Sequence, residues 1–273
     1  MNKYILLLLI IISAVAYNFS VSNNNNRVIK VGIECDHIPY NWEESINTES
    51  NFELKDSPGL YVEGYDAQMA SIIAKKLGMT AEFHKISFDE LIDALNRREI
   101  DVIFSGMFDT DEHKALINFT VPYESRVVEY AMLVHRKSEY ANARRLQDFS
   151  GARVAAQKNS HFDEVIDQID GVNHMPALTS QAAILIQLSE RKIDATVVNY
   201  DSALSYERTH PELKAIRFRK NEGFVLGFTG LCAGVRKSDK TLLDNMNNAI
   251  KSIPMRDRQR VMDRVVGRAF AHE

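Results

Sequence analysis

Glu34 is the first residue whose type and place invite chemistry. It ends the alternating run Val28-Ile-Lys-Val-Gly-Ile-Glu34, and a carboxylate buried at a strand end is costly without a partner. His37 follows closely. The only tryptophan, Trp42, and Tyr61 add ring faces that suit a planar or cationic group, although ordinary core packing explains such aromatics equally well. Among the eight histidines no metal spacing occurs, and His84, His135, His174 and His210 are isolated. There is no Ser/His/Asp order and no glycine loop to cradle a phosphate. A lone carboxylate, Glu34 or Asp201, makes no convergent acid–base constellation. The residues therefore predict neither an enzyme nor a cofactor or metal site.

These side chains need elements to hold them. Val28–Glu34 reads as a strand, with Pro39 in the loop beyond it. Asp66 is expected to N-cap a helix to Leu77, with Ala70, Ile73, Ala74 and Leu77 on one face and Gly78 as its stop. Thr80–Ile86 is a second strand. Ser87 and Glu90 form a capping box opening a helix through Asn96, with Leu91, Ile92 and Leu95 facing inward. Ile100–Phe104 is a short buried strand. Such alternation predicts parallel sheets covered by helices.

An internal echo organises the chain. Leu91–Phe104 reads LIDALNRREIDVIF and Ile184–Val197 reads ILIQLSERKIDATV, sharing Leu95/Leu188, Arg98/Arg191, Ile100/Ile193 and Asp101/Asp194 without a gap. Helix–turn–strand units resemble one another by chance, which is the competing explanation. Taken as a repeat, the echo predicts two α/β lobes, each lending a strand end to a shared cleft. Those ends are Ser105, Gly106 and Met107 in one copy, Val198 and Asn199 in the other.

Composition sets the bounds. The 273 residues are 45% hydrophobic and 26% charged, with a net charge of −4, enough for one large domain or two lobes. Basic residues are scattered, which excludes nucleic acid as a partner. Lys3, the apolar run Tyr4–Ile12 and the small residues Ala14-Val15-Ala16 have the form of a secretory signal peptide over 1–16. Residues 17–27, including four consecutive asparagines, read as a flexible leader. The protein is thus expected to be exported, to the periplasm or another extracytoplasmic space. An oxidising compartment permits a Cys35–Cys232 bridge, and two buried free thiols are the other reading.

The segment from Gly64-Tyr65-Asp66 through Leu91 to Met107 resembles the bacterial extracellular solute-binding proteins of family 3, the polar amino-acid receptors of ABC importers. Their usual run is L-I-x-A-L-x-x-G-x-I-D-x-I-x-x-G-M, and Glu99 is read here as standing where glycine is usual. Phe119-Thr-Val-Pro-Tyr123, Leu146–Gln157 and Leu231–Ile253 extend the likeness, and Pro39-Tyr40-Asn41-Trp42 looks like one subgroup. The resemblance implies a periplasmic-binding-protein-like fold. Lobe 1 would be 28–125 plus 226–273 and lobe 2 would be 126–225, with hinges near Tyr123–Val127 and Phe224–Phe228. It also implies a monomer, a small polar ligand and an ABC importer permease as partner.

Carried over by position, the resemblance also names a site. In the family's S-G-M-T-x-T-x-E-R, a threonine and an arginine hold the ligand α-carboxylate; here Phe108 and His113 stand in those places. The aspartate that receives the α-ammonium is replaced by Asn199. Neither replacement carries the family's charge chemistry. Three readings stay open: a ligand other than an α-amino acid, an amino acid held by Lys114, His113 or Asp201 instead, or a repurposed cleft. Glu34, His37, Trp42, Tyr61, Ser105, Gly106, Met107, Ser160 and His161 complete the implied wall. A cyclohexadienyl/arogenate-dehydratase-like enzyme and a ligand sensor acting through a partner protein are the alternative functions.

Overall fold

The computed structural model describes residues 27–124, 129–219, 221–226 and 230–269. The expected signal peptide and most of the expected leader lie outside the described residues. Only Arg27 is seen, its carbonyl oxygen accepting the Thr80 N–H at 2.8 Å.

The strands, in chain order, are β1 (Val28–Ile33), β2 (Asp36–His37), β3 (Asn41–Glu44), β4 (Phe52–Glu53), β5 (Tyr61–Glu63), β6 (Thr80–Lys85), β7 (Val102–Ile103), β8 (Asn118–Phe119), β9 (Tyr130–His135), β10 (Arg153–Val154), β11 (Asn173–His174), β12 (Ala195–Asn199), β13 (Leu213–Arg217) and β14 (Gly234–Val235). One sheet has the order β6-β1-β7-β14-β8 and a second has β11-β10-β12-β9-β13. A smaller sheet, β2-β3-β5-β4, flanks the first. The first main sheet draws on the chain before Tyr123 and after Leu231; the second draws on the segment between.

Both main sheets are mixed rather than parallel. β1 runs parallel to β6 and β7, while β14 is antiparallel to β7 and β8. β10 runs parallel to β11 and β12, while β9 is antiparallel to β12 and β13. The reversed strands are the ones that follow a passage from one lobe to the other, so alternation within a lobe could not reveal them. β12 is buried along its whole length, as a strand covered on both faces should be. The helix Tyr65–Lys76 covers β1 and β6, with the C-terminal helix Met255–Ala269 packed on its outer side.

Three local expectations need correction. Gly64, not Asp66, is the N-cap of Tyr65–Lys76. Asp66 is fully buried and accepts hydrogen bonds from Tyr123 Oη at 2.7 Å and Asn41 Nδ2 at 2.8 Å. Ser87 Oγ does bond Glu90 at 3.0 Å, but the turn it opens is a 3-10 segment, Phe88–Glu90, before the helix Leu91–Asn96, and neither side chain caps the backbone. The left-handed position of the first echo is Arg98, with φ of 65°, so the family's glycine corresponds to Arg98 rather than Glu99.

The echo is physical. Arg98 and Arg191 both take positive φ, at 65° and 57°. Asp101 Oδ2 accepts the Lys30 N–H of β1 at 3.0 Å, and Asp194 Oδ2 accepts the Arg153 N–H of β10 at 2.8 Å. In each lobe a helix ends on a left-handed turn, and an aspartate then ties the emerging strand to its parallel neighbour.

The passages between lobes run side by side. Tyr123 N–H donates to Leu231 O, and Leu231 N–H to Glu124 O, each at 2.9 Å. The expected hinge segments fall partly on 125–128 and 227–229, which are outside the described residues.

Candidate ligand site between the lobes

The C-terminal ends of β1 and β7 face those of β10 and β12, and the lobes touch there. Glu34 follows β1 directly. Its N–H donates to Ser105 Oγ at 3.0 Å, so Ser105 fixes the end of β1 against the segment after β7. The Glu34 carboxylate accepts from Gln157 Nε2 of the other lobe. It is 5% exposed, and among the described residues no cation pairs with it. Burial, with the nearby Asp36 charge adding to it, pushes its carboxyl up to about 8. Asp36 reaches across as well, its Oδ2 taking the Ala182 N–H at 3.1 Å. Burial raises its carboxyl too.

Further links close the seam. Lys158 Nζ lies 2.9 Å from Asp89 Oδ2. His113 Nε2 is 3.1 Å from Asn159 O and its Nδ1 is 3.2 Å from Phe108 O. Both ring nitrogens thus face carbonyl oxygens, one from each lobe. His113 is occupied with the backbone of both lobes rather than held open like a guanidinium fork.

Phe108 puts a ring at the strand end where the resemblance implies a threonine hydroxyl. The ring meets Phe162 at 6.4 Å edge-on and Tyr130 at 6.1 Å, while Tyr130 and Phe162 lie 4.9 Å apart. His37 joins from lobe 1, 5.9 Å from Phe162, and Tyr130 Oη bonds His161 Nδ1 at 3.0 Å. Full burial holds the His37 imidazole down to about 4, so it is neutral.

The remaining implied residues divide. Gly106 has φ of 64°, and its N–H donates to Asp66, which burial pushes up to about 7. Met107 is buried, and its carbonyl accepts from Cys232 N–H at 3.0 Å. Ser160 Oγ donates to Gln157 O at 2.6 Å and is used up within its own turn. Asn199 ends β12, 2% exposed, with Oδ1 lacking a partner among the described residues. Trp42 is buried on β3, its Nε1–H donating to Glu44. Tyr61 sits on β5 between Glu44 and Glu53, away from the strand ends that meet. Lys114 is exposed and paired with Asp111 at 3.0 Å.

Sequence reasoning missed Asp36, Gln157, Gln181, Tyr130 and Phe162. Gln181 Nε2 donates to Gln157 Oε1 at 3.1 Å, extending the Glu34 chain into lobe 2, while Gln181 Oε1 and His37 Nε2 lack partners among the described residues. Gln157 did carry a signal, as the last residue of a strand pattern in the second lobe. Tyr130 and Phe162 carried none, because their partners are distant in the chain. Cys35 and Cys232 are buried free thiols.

Comparison with known proteins settles the lineage. The model of the bacterial extracellular solute-binding proteins, family 3, matches residues 29–262. The chain belongs to that family. This is a family of solute-binding proteins, not of enzymes. Among its relatives is ABC transporter arginine-binding protein 1 of Escherichia coli, 25% identical over 245 residues that span 89% of this chain and 92% of the relative. Another is the arginine-binding extracellular protein ArtP of Bacillus subtilis, 24% identical over 93% of each chain. The fold matches that of an amino acid ABC transporter substrate-binding protein from Streptococcus pneumoniae bound to L-arginine, with a TM-score of 0.74, 22% identity and coverage of 88% of this chain and 94% of that one. An ancestral arginine-binding protein bound to arginine gives a TM-score of 0.69 at 24% identity, covering 89% and 98%. The two-lobed α/β architecture is therefore that of a periplasmic binding protein.

Proposed function

We propose that this chain is the exported receptor of an ABC importer and that it carries a small, arginine-like organic cation between its lobes. The observation that carries the reading is Glu34: a carboxylate buried at the seam, contacted from the opposite lobe, and without a cation among the described residues. A buried acid in that state is stabilised by a positive ligand. Relatives named for arginine binding agree with it.

The anchors are altered in a consistent direction. Asn199 offers an unpartnered acceptor instead of a charge, and His113 bonds the backbone rather than presenting a fork. The ligand's positive group is therefore recognised more strongly than its carboxylate. Closure about the two passages at Tyr123–Glu124 and Leu231 brings Gln157 and Gln181 over Glu34, so the cation favours the closed form and shifts the population towards it. A permease would read that closed outline.

Calorimetry with arginine and with agmatine, its decarboxylated amine, tests this. The two are expected to bind with dissociation constants within about tenfold of each other, since no guanidinium clamps the carboxylate. Glu34→Gln should weaken both by about 2–4 kcal/mol, the cost of truncating one partner of a buried charge pair. Binding of neither compound would sink the cationic reading. Arginine held more than about a hundredfold tighter than agmatine would sink the altered-anchor reading.

A further inference from the structure

Beside the Glu34 seam, a cavity of about 940 Å³ opens between the lobes. That is at the upper end of the ~300–1,000 Å³ of drug-sized ligand sites, and a single free amino acid leaves most of it empty. Lobe 1 supplies Ile38 and Trp42; lobe 2 supplies Leu185, Ile186 and Tyr206. Ile186 is 57% exposed, a large apolar side chain turned to open space at the cavity rim. Apart from Trp42, none of these five belongs to the wall that the family resemblance implies.

The charges in the cavity are unequal. Glu34, Asp36, Glu43 and Glu190 line it against Lys85 and His210. Lys85 is spent on Glu43 at 2.6 Å, Glu190 pairs with Lys192 at 2.7 Å, and His210 Nδ1 bonds Thr209 Oγ1 at 2.9 Å. Glu34 and Asp36 remain, side by side at the inner end and bonded only to neutral groups: Gln157 Nε2 and the Phe88 backbone for Glu34, the Ala182 and Gln181 backbone for Asp36. The cavity is thus acidic at its inner end and apolar along its body.

Building on the cationic reading above, we infer that the receptor takes an amphipathic cation: a guanidinium or ammonium head at Glu34 and Asp36, joined to an apolar or aromatic body lying between Trp42 and the Leu185–Ile186 face. The head alone serves arginine-like ligands. The body adds contacts to both lobes at once, so it selects for the closed form as well as for the larger ligand.

A series of guanidines separates the two parts: methylguanidine, butylguanidine and 2-phenylethylguanidine, measured by calorimetry on the mature protein beside arginine. The dissociation constant is expected to fall about tenfold or more from the first to the last, from apolar area buried. Ile186→Ser should shrink that gradient while leaving methylguanidine unchanged, and being exposed it leaves the core intact. Leu185→Ala provides a second reading of the same wall. Arginine binding with equal affinities across the guanidines would overturn this inference alone. Failure of every cation, arginine included, would overturn it together with the reading on which it rests. A gradient that survives both variants would place the apolar body elsewhere and overturn it too.

Discussion

The two echoed turns, Arg98–Asp101 in the first lobe and Arg191–Asp194 in the second, do the same mechanical work in different surroundings. Each aspartate accepts the N–H of the neighbouring parallel strand, and each follows a left-handed arginine. In the first lobe the brace is backed by Arg236, which is 7% exposed and bonds Leu95 O at 3.1 Å, Ile100 O, Asp101 and Asp239. In the second it is backed by Arg153, whose side chain is 43% exposed and pairs with Asp194 at 2.8 Å. Beyond the braces the likeness stops: one strand leads to Ser105-Gly106-Met107-Phe108, the other to Asn199. The frame is shared because strand pairing requires it, and the ends differ because recognition requires that.

The sharpest way to break this comparison is to remove the two arginines. Arg236→Ala strips donors from buried carbonyls and leaves Asp101 and Asp239 without their partner, which should cost about 3 kcal/mol. Arg153→Ala removes a half-exposed pair and should cost less than about 1 kcal/mol. Urea melts of both variants measure the gap. Equal losses would mean that the second brace is as deeply set as the first, contrary to its exposure.

A second difference lies at the strand ends, where lobe 1 presents a titratable carboxyl and lobe 2 an amide. Burial between the lobes holds the Glu34 carboxyl up to about 8. A cation favours the ionised carboxylate, so binding releases a proton, and affinity should rise with pH from the ordinary glutamate value, near 4.5, towards 8. The slope is bounded at about tenfold per pH unit for one proton. The sign for folding is the reverse: a raised acid holds more protons folded than unfolded in that window, so its contribution to stability falls as pH rises. Calorimetry in buffers of different ionisation heat should detect the released proton in the native protein and in Asn199→Ala, and not in Glu34→Gln. A proton released equally by Glu34→Gln would move the titration to another group.

Much of the frame was legible beforehand. β1, β6 and the helix Tyr65–Lys76 follow from local alternation and periodicity, and the echo marked both lobes because matched helix–turn–strand units carry matched residues. The reversed strands β9 and β14 were not legible, since direction within a sheet depends on where a long connection lands. Asp66 reads as a cap from its neighbours alone; only the fold brings Asn41 and Tyr123 to it. The site was half legible. Glu34, Phe108, His113 and Asn199 stand at strand ends or beside motifs, whereas Asp36, Tyr130 and Phe162 matter through partners in the opposite lobe. Tyr61 shows the converse: an aromatic close in sequence to Gly64 that its strand carries away from the seam.

The smallest expected effect concerns the left-handed arginines themselves. A side chain at positive φ pays a steric cost that glycine avoids, offset in part by the greater chain entropy glycine loses on folding. Arg98→Gly should therefore gain about 0.5 kcal/mol net, or roughly 1–2 °C in melting temperature for a chain of this size. Arg191→Gly should gain less, because its guanidinium also meets His135 Nδ1 at 3.4 Å, a contact glycine gives up. The carbonyl of residue 191, which accepts from Arg153 Nη2 at 2.8 Å, survives the change. Calorimetric melts of the two single variants and the double variant decide it. Gains that add, with the first larger, fit two independent copies of one turn; a loss in either would mean that its arginine side chain stabilises the turn more than the backbone strain costs.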